Sequence, residues 1–280
     1  MGIRVVTDSA CDLPPSLCDE RGIEVVPLTI RFGEEELVDR VELSNADFWD
    51  RMETTTILPE TSAPSVGAFE ETFRRLADEG ADGIVCVNLS SRLSATMQSA
   101  QVASKALDGV CPVAVFDACT ASMGSGSQAL HAARRADDGA DLATIIAELE
   151  DRRERQRLFA TLDTLEFLRR GGRIGGAQAM LGSMLSIKPI ITVVDGAVAP
   201  AGKVRTRSKA LRFVVDQLKE SDVEEICVLH SRAPDVDEFV EMLEPIVPDA
   251  AIVVGEMGPV VGVHTGPRVI GATWIERPRR

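Results

Sequence analysis

Residues 84–101, IVCVNLSSRLSATMQSAQ, limit most narrowly what this chain can become. They open with the apolar run Ile84-Val85-Cys86-Val87, which reads as a buried strand. Asn88 and the hydroxyls of Ser90, Ser91, Ser94 and Thr96 follow, and then the apolar spacing turns helical through Met97, Ala100 and Val102. A buried strand that runs through a polar turn into a helix is the repeating unit of a parallel α/β sheet. It is also where such sheets place ligands, because the free N–H groups at a helix start favour an anion. The stretch therefore predicts an α/β fold with a seat for a small negatively charged group.

Composition narrows the ligand. The chain has 280 residues, 45% of them apolar, enough to fill one large or two modest cores. Its net charge of −14 argues against nucleic acid and anionic membrane surfaces, which reward Lys and Arg. None of the six cysteines forms a C-x-x-C pair or clusters with a histidine at metal spacing, which suits reduced thiols in a cytoplasmic protein. No signal peptide or membrane-spanning run is visible, and Val6 breaks a myristoylation pattern.

The same rhythm runs along the first half. Strands are predicted at 3–6, 23–27, 84–87 and 113–116, a hairpin about Gly33, and helices opened by Pro14-Pro15 and by the Ser44–Asp47 capping pattern. A helix over 64–79 carries Phe69, Phe73 and Leu76 on one face, and a charged one spans about 142–157. Near Arg157 the pattern changes to hairpins mixed with crossover helices. Strands at 187–194 and 197–201 flank the turn Asp195-Gly196, and helices at 208–220 and 236–243 alternate with strands at 225–230, 251–256 and 269–274. This predicts two abutting domains with a cleft between them: a three-layer parallel-sheet domain over 1–157, and a smaller α+β domain with a mixed sheet over 158–280.

Motifs that would name an enzyme are missing. The nearest approach to a P-loop, at 196–204, has one residue too many and ends on Val204 where a hydroxyl must hold magnesium. Gly124, Gly126 and Ala129 meet G-x-G-x-x-A, but lie well past the strand end at Phe116. There is no nucleophile elbow and no metal-ligand set, so neither a metal nor a cofactor is expected. Asp8 and Asp117 follow strands, where they serve as acid and base or as caps that brace loops.

Three places instead supply neutral donors: Thr61-Ser62, Ser91 with Ser94, and His264-Thr265-Gly266. Each also has a structural reading, as helix caps or as a satisfied buried imidazole. Met180, Leu181, Met184, Leu185, Ile187 and Ile190 form an apolar supply, either core or the wall of a tail pocket. Hydroxyls that grip an anion beside an apolar wall describe a site for an amphiphile.

Five stretches sharpen this reading: Thr7-Asp8-Ser9 with Asp12-Leu13-Pro14; Thr61-Ser62 with Pro64-Ser65; Ser90-Ser91 with Leu93-Ser94 and Thr96; Gly171-Gly172-Arg173-Ile174 with Ile187-Lys188-Pro189; and Gly262 with His264-Thr265-Gly266-Pro267. In this order, over nearly the full length, they resemble the DegV family of bacterial lipid-binding proteins. The resemblance implies two α/β domains clasping one long-chain fatty acid, whose carboxyl meets Thr61, Ser94 or Ser91, and His264. It implies the acyl-binding subunit of a two-part fatty acid kinase. Such a subunit has no turnover alone and presents the carboxylate to a separate ATP-dependent subunit, with Arg173 and Arg205 at the mouth for the partner or the phosphorylated head. Lipid transport feeding phospholipid metabolism, with transient membrane contact, belongs to the same picture. Ala95 and Arg268 stand where the family usually has small residues, Gly in the first case. Two other readings remain: a non-catalytic lipid sensor, and an α/β enzyme acting on a small acidic metabolite through Asp8 or Asp117.

Overall fold

The computed structural model of the chain describes residues 2–181, 187–247 and 252–278. The first half runs β1 (Ile3–Asp8), α1 (Pro15–Glu20), β2 (Ile23–Val26), β3 (Thr29–Phe32), β4 (Glu35–Val38), α2 (Asn45–Thr54), β5 (Glu60–Ser62), α3 (Val66–Asp78), β6 (Gly83–Asn88), α4 (Thr96–Ser104), β7 (Val113–Asp117), α5 (Met123–Asp137) and α6 (Leu142–Arg155). The second runs β8 (Gln156–Thr161), α7 (Glu166–Arg170), β9 (Lys188–Val194), β10 (Ala197–Val204), α8 (Arg207–Lys219), β11 (Val223–His230), α9 (Val236–Leu243), β12 (Ile252–Glu256), α10 (Pro259–Thr265) and β13 (Ile270–Glu276).

Strands β2-β1-β6-β7 form an all-parallel sheet. Its central strand β6 is buried along its whole length, which is why it reads as an unbroken apolar run rather than an alternating one. The second sheet is mixed, in the order β10-β9-β8-β13-β11-β12, with only β11 and β12 parallel. A third, small sheet, β4-β3-β5, is antiparallel. Its strand β5 carries no strand pattern in the sequence. Three residues are too few for a period-2 signal, and their pairing partner β3 supplies the order.

The two main sheets share a filling. Helices α3 and α4 cover the outer face of the parallel sheet, with Phe69, Phe73 and Leu76 fully buried against it. Helix α5 lies between the sheets, touching β1 and β6 on one side and β11 and β13 on the other. Near its start, Gly124, Ser125, Gly126 and Ser127 are small enough for that position. A Cβ at Gly126 would sit 2.5 Å from the carbonyl oxygen of Cys11. Helices α8 and α9 close the far face of the mixed sheet over Val228, Ile270 and Trp274. The layers therefore read α/β/α/β/α.

In the parallel sheet, the connection from β1 to β2 runs one way and that to β6 and β7 the other. The carboxyl ends of β1 and β6 thus flank the crevice where such sheets place ligands. Asp8, at the end of β1, ties it shut on the sheet side. It accepts bonds from Asn88 Nδ2 (3.0 Å), Leu89 N (2.9 Å) and Ala10 N (3.1 Å). Burial nevertheless pushes its carboxyl up to about 6.

Candidate functional site

A cavity opens at those strand ends, between the parallel sheet, the small sheet and the mixed sheet. Leu28, Leu89 and Leu93 line one side, and Leu158, Ala160, Ile191, Val193 and Val198 line the other. Met257 and helix α10 supply a third side, with Val260, Val261, His264 and Thr265. The space totals about 800 Å³ counting its open mouth. Its lining is mostly apolar, which suits a hydrocarbon tail rather than a polar metabolite.

Polar side chains gather at one end. Thr61 Oγ1 lies 2.9 Å from His264 Nε2, across 203 positions of sequence. The imidazole is half-buried, and that desolvation together with the nearby Arg173 guanidinium holds it down at about 4. It is neutral at pH 7, with one N–H. Nδ1 is buried without a partner, and an unpaired buried donor costs more than an unpaired acceptor. With Nδ1 unpaired, the tautomer that puts the single N–H on Nε2 satisfies it on Thr61 Oγ1, and in that tautomer the Thr61 hydroxyl hydrogen is free to donate into the cavity. Ser94 lines the same end, its Oγ 2.8 Å from Thr96 Oγ1. Arg173 completes it. Its Nε donates to the Leu93 carbonyl at 3.1 Å and its Nη1 to the Gly171 carbonyl at 2.7 Å. Among the described residues no carboxylate pairs with Arg173, whose partners there are these carbonyls.

The backbone around these groups explains the glycines. Helix α7 ends in a Schellman cap, in which Arg173 N bonds to Leu168 O (2.9 Å), Gly172 N bonds to Arg169 O (3.2 Å), and Gly172 takes φ +70°. A Cβ at Gly171 would overlap His264 Nδ1, so only glycine lets the ring lie there. Helix α10, which carries His264, was not legible as a helix because its Val-Val-Gly-Val run has low helix propensity. Packing imposes it: Gly262 lies against Phe48 and Trp49, Trp49 Nε1 donates to Met257 O at 3.1 Å, and Asp12 accepts Gly258 N at 2.8 Å.

Of the residues singled out in the sequence, Thr61, Ser94, His264 and Arg173 meet at the cavity. Ser62, the next residue on β5, is exposed and points away. Ser91 is exposed, with both its hydroxyl and its N–H committed to Asp117. Asp117 also takes Cys119 N at 2.8 Å, so Asp8 and Asp117 both brace loops. Arg205 is exposed beyond the end of β10 and does not line the cavity.

The apolar wall differs from the sequence reading. Met180 is buried in the core and Leu181 packs against it, but neither lines the cavity, nor does Ile187. Met184 and Leu185 lie outside the described residues. Ile190 faces the opposite side of β9, towards Gly202 and Phe213, while its neighbours Ile191 and Val193 face the cavity. Strand β9 is covered on both faces, so apolar residues fall at both parities and the sequence does not tell which set points inward. Alternation counted back from the Asp195-Gly196 turn was the one available signal. Among the described residues no group of His, Cys, Asp or Glu is arranged to hold a metal ion, and no helix is long and apolar enough to cross a membrane.

Residues 2–277 match the family model described as an uncharacterised protein of the DegV family. A DegV domain-containing protein of Halalkalibacterium halodurans is 36% identical, over 97% of this chain and 98% of its own. Among solved structures, a fatty-acid-binding DegV family protein of Thermus thermophilus superposes with a TM-score of 0.90 at 33% identity, covering 99% of this chain and 100% of that one. A stearic acid-binding protein of Eubacterium ventriosum gives a TM-score of 0.91 at 26% identity, with 98% of both chains covered.

Proposed function

This chain belongs to the DegV family, and from that premise we propose that it binds one long-chain fatty acid and presents its carboxylate to a separate ATP-dependent kinase subunit. One observation carries the first part. An apolar-lined cavity carries two hydroxyls, a neutral imidazole and a guanidinium that has no carboxylate partner among the described residues. That is the complement of an alkyl chain with an anionic head, and the two related structures named above are described as binding such acids. Each buried methylene contributes about 0.8 kcal/mol, so a sixteen-carbon tail offers on the order of 10 kcal/mol. The head needs only to be satisfied, not strongly attracted.

The kinase partnership rests on the family resemblance and on the donor set. Thr61 and Ser94 hold a carboxylate through single hydrogen bonds, with His264 orienting the Thr61 hydroxyl, which leaves an oxygen able to attack a phosphoryl donor supplied from outside. Arg173 then meets the phosphorylated head, where a guanidinium binds best. We place the protein in the cytoplasm, carrying lipid towards phospholipid synthesis and touching membranes to load. All six cysteines are free, which suits a reducing compartment, and Ile57, 62% exposed just before β5, offers an apolar contact beside the Thr61 strand. We also divide the chain into units 1–157 and 158–280, with the cavity between them. Proteolytic cutting near that point that leaves two stable fragments supports the division.

Mass spectrometry of lipid released from the purified chain tests the binding. A long-chain acid in near-equimolar amount is expected, and a chain that retains none when offered them overturns the reading. Adding an ATP-dependent fatty acid kinase subunit then separates a substrate-presenting role from a sensor: acyl phosphate forms only in the first case.

A further inference from the structure

Leu158 and Val193 line the apolar cavity and also a second, open crevice on its far side. Strand register locates them. In the antiparallel pair β8–β9, Phe159 lies opposite Thr192 and Ala160 opposite Ile191, so Leu158 and Val193 lie side by side one step further on. The polar end of the cavity is in the other direction. The chain leaves β8 at Thr161 towards α7 and Arg173, and β13 begins opposite Thr161 at Ile270, shortly after His264. Leu158 is three residues from that end. The two side chains therefore stand about 10 Å along the strand from the end near which Arg173 and His264 lie.

What lies behind them is polar. Thr120, Arg153, Gln156 and Asp195 line the crevice, and Arg153 stacks over the Phe116 ring at 5.0 Å while donating to the Asp117 carbonyl at 3.1 Å. The partition is braced from both sides. Ser90 N donates to the Thr120 carbonyl and Ser90 Oγ to the Gly196 carbonyl, each at 2.7 Å. This ties the segment after β7 to the β9–β10 turn. Cys119 and Ser122, at φ +52° and +55°, hold that segment in a backbone conformation that does not slide easily.

We propose that Leu158 and Val193 form the stop that sets the longest acyl chain this protein accepts, separating the apolar cavity from the polar crevice beyond. The inference rests on the fatty-acid reading above. Up to the stop, each added methylene is buried and raises affinity about fourfold. Past it, a further carbon either buckles the chain or enters the polar crevice, and affinity stops rising.

The test is a competition within one sample. The purified chain is equilibrated with an equimolar mixture of saturated even-chain free fatty acids of twelve to twenty-two carbons, and the retained acids are quantified by mass spectrometry. The wild type is expected to show a rising series with a break at one length. Val193→Ala moves the break to longer acids by about two carbons, one for each methyl group removed, and Leu158→Ala moves it the same way. Val193→Phe moves it to shorter acids. Only ratios within a sample are read, so partial loss of folded protein mimics none of these shifts, and opposite shifts from two substitutions at one position are not a stability effect. Unchanged length profiles in the Val193 variants, with lipid bound, overturn the stop and leave the fatty-acid reading standing. Retention of no acid at any length by the wild type overturns that reading and the stop with it.

Discussion

Replacing Asp12 by Asn should flatten the dependence of stability on pH. Asp12 is buried where three cavity-forming segments meet. Its Oδ2 accepts the Ser122 hydroxyl at 2.6 Å and its Oδ1 accepts Gly258 N at 2.8 Å, at the start of α10. Burial pushes its carboxyl up to about 7, against the lowering effect of those two bonds and of Arg40 nearby, with Asp39 adding to the rise. An acid raised by folding holds its proton more tightly in the native chain than in the unfolded one. The stability it contributes is whole below its ordinary value near 4 and is lost as pH climbs through about 7. Between pH 5 and 7 the unfolded chain has already released this proton and the folded chain has not, so the loss is about two units at 1.36 kcal/mol each, about 3 kcal/mol.

Asn cannot charge. It still accepts from Gly258, and the Ser122 hydroxyl can turn to accept from its amide. Urea unfolding of the lipid-stripped chain at pH 5, 6, 7 and 8 reads the effect. Trp49 reports on the small sheet and α10, and Trp274 reports on the mixed sheet. Asp8 and Asp39, raised to about 6, act with the same sign in both proteins. The three half-buried histidines, held below their ordinary value, act with the opposite sign but in both proteins alike. The difference between the two curves therefore isolates Asp12. It should grow by about 3 kcal/mol in favour of the variant from pH 5 to 8. Parallel curves would show that Asp12 is ionised throughout and that burial does not govern it.

Other perturbations act on the head end and the partition. Thr61→Val, which keeps the shape and removes the hydroxyl, should weaken fatty acid binding by about 1–3 kcal/mol in a displacement titration, while Thr61→Ser restores it; equal binding by all three would place the carboxyl elsewhere. Gly171→Ala removes no polar group, yet its Cβ must displace the His264 ring. It should weaken binding about as much as His264→Ala does, and a neutral result would show that ring position is irrelevant. Gly196→Ala combines a φ of +78° with a Cβ that overlaps Ser90 Oγ. A loss of about 1–3 kcal/mol in thermal unfolding is expected. Adding Ser90→Ala should recover part of it, and no recovery would mean the clash lies elsewhere.

What the sequence disclosed and withheld follows the range of the forces involved. The i, i+4, i+7 face of α3 is a local pattern, and so is the Ser44 cap, whose Oγ accepts Asp47 N at 3.1 Å. The Asp195-Gly196 turn is local too, with both residues at positive φ as a tight hairpin requires. These elements stand where the pattern puts them. Helix α10 has no local signal beyond Pro259 at its start, because Phe48, Trp49 and Asp12 create it from a distance. The head groups could be named by chemistry, but their meeting depends on β5 pairing with β3 and on α10 docking against α2. The tail wall was the least legible part. An apolar residue in a twice-covered strand looks the same whichever way it points, and Ile190 and Ile191 differ only in that.

The cavity also has an order of manufacture. Leu28, Leu89, Leu93 and Ala121 leave the ribosome early, whereas Ile191, Met257, Val260 and Val269 come late. About 150 residues separate Ser122 from Val269, so synthesis at ~5–20 residues per second leaves the early wall facing water for roughly 7–30 s. During that interval the nascent chain displays a greasy strip beside the open ends of a parallel sheet, which is what a holding chaperone recognises. A newly made molecule cannot close around its lipid until its last helix is in place, so loading must follow translation rather than accompany it.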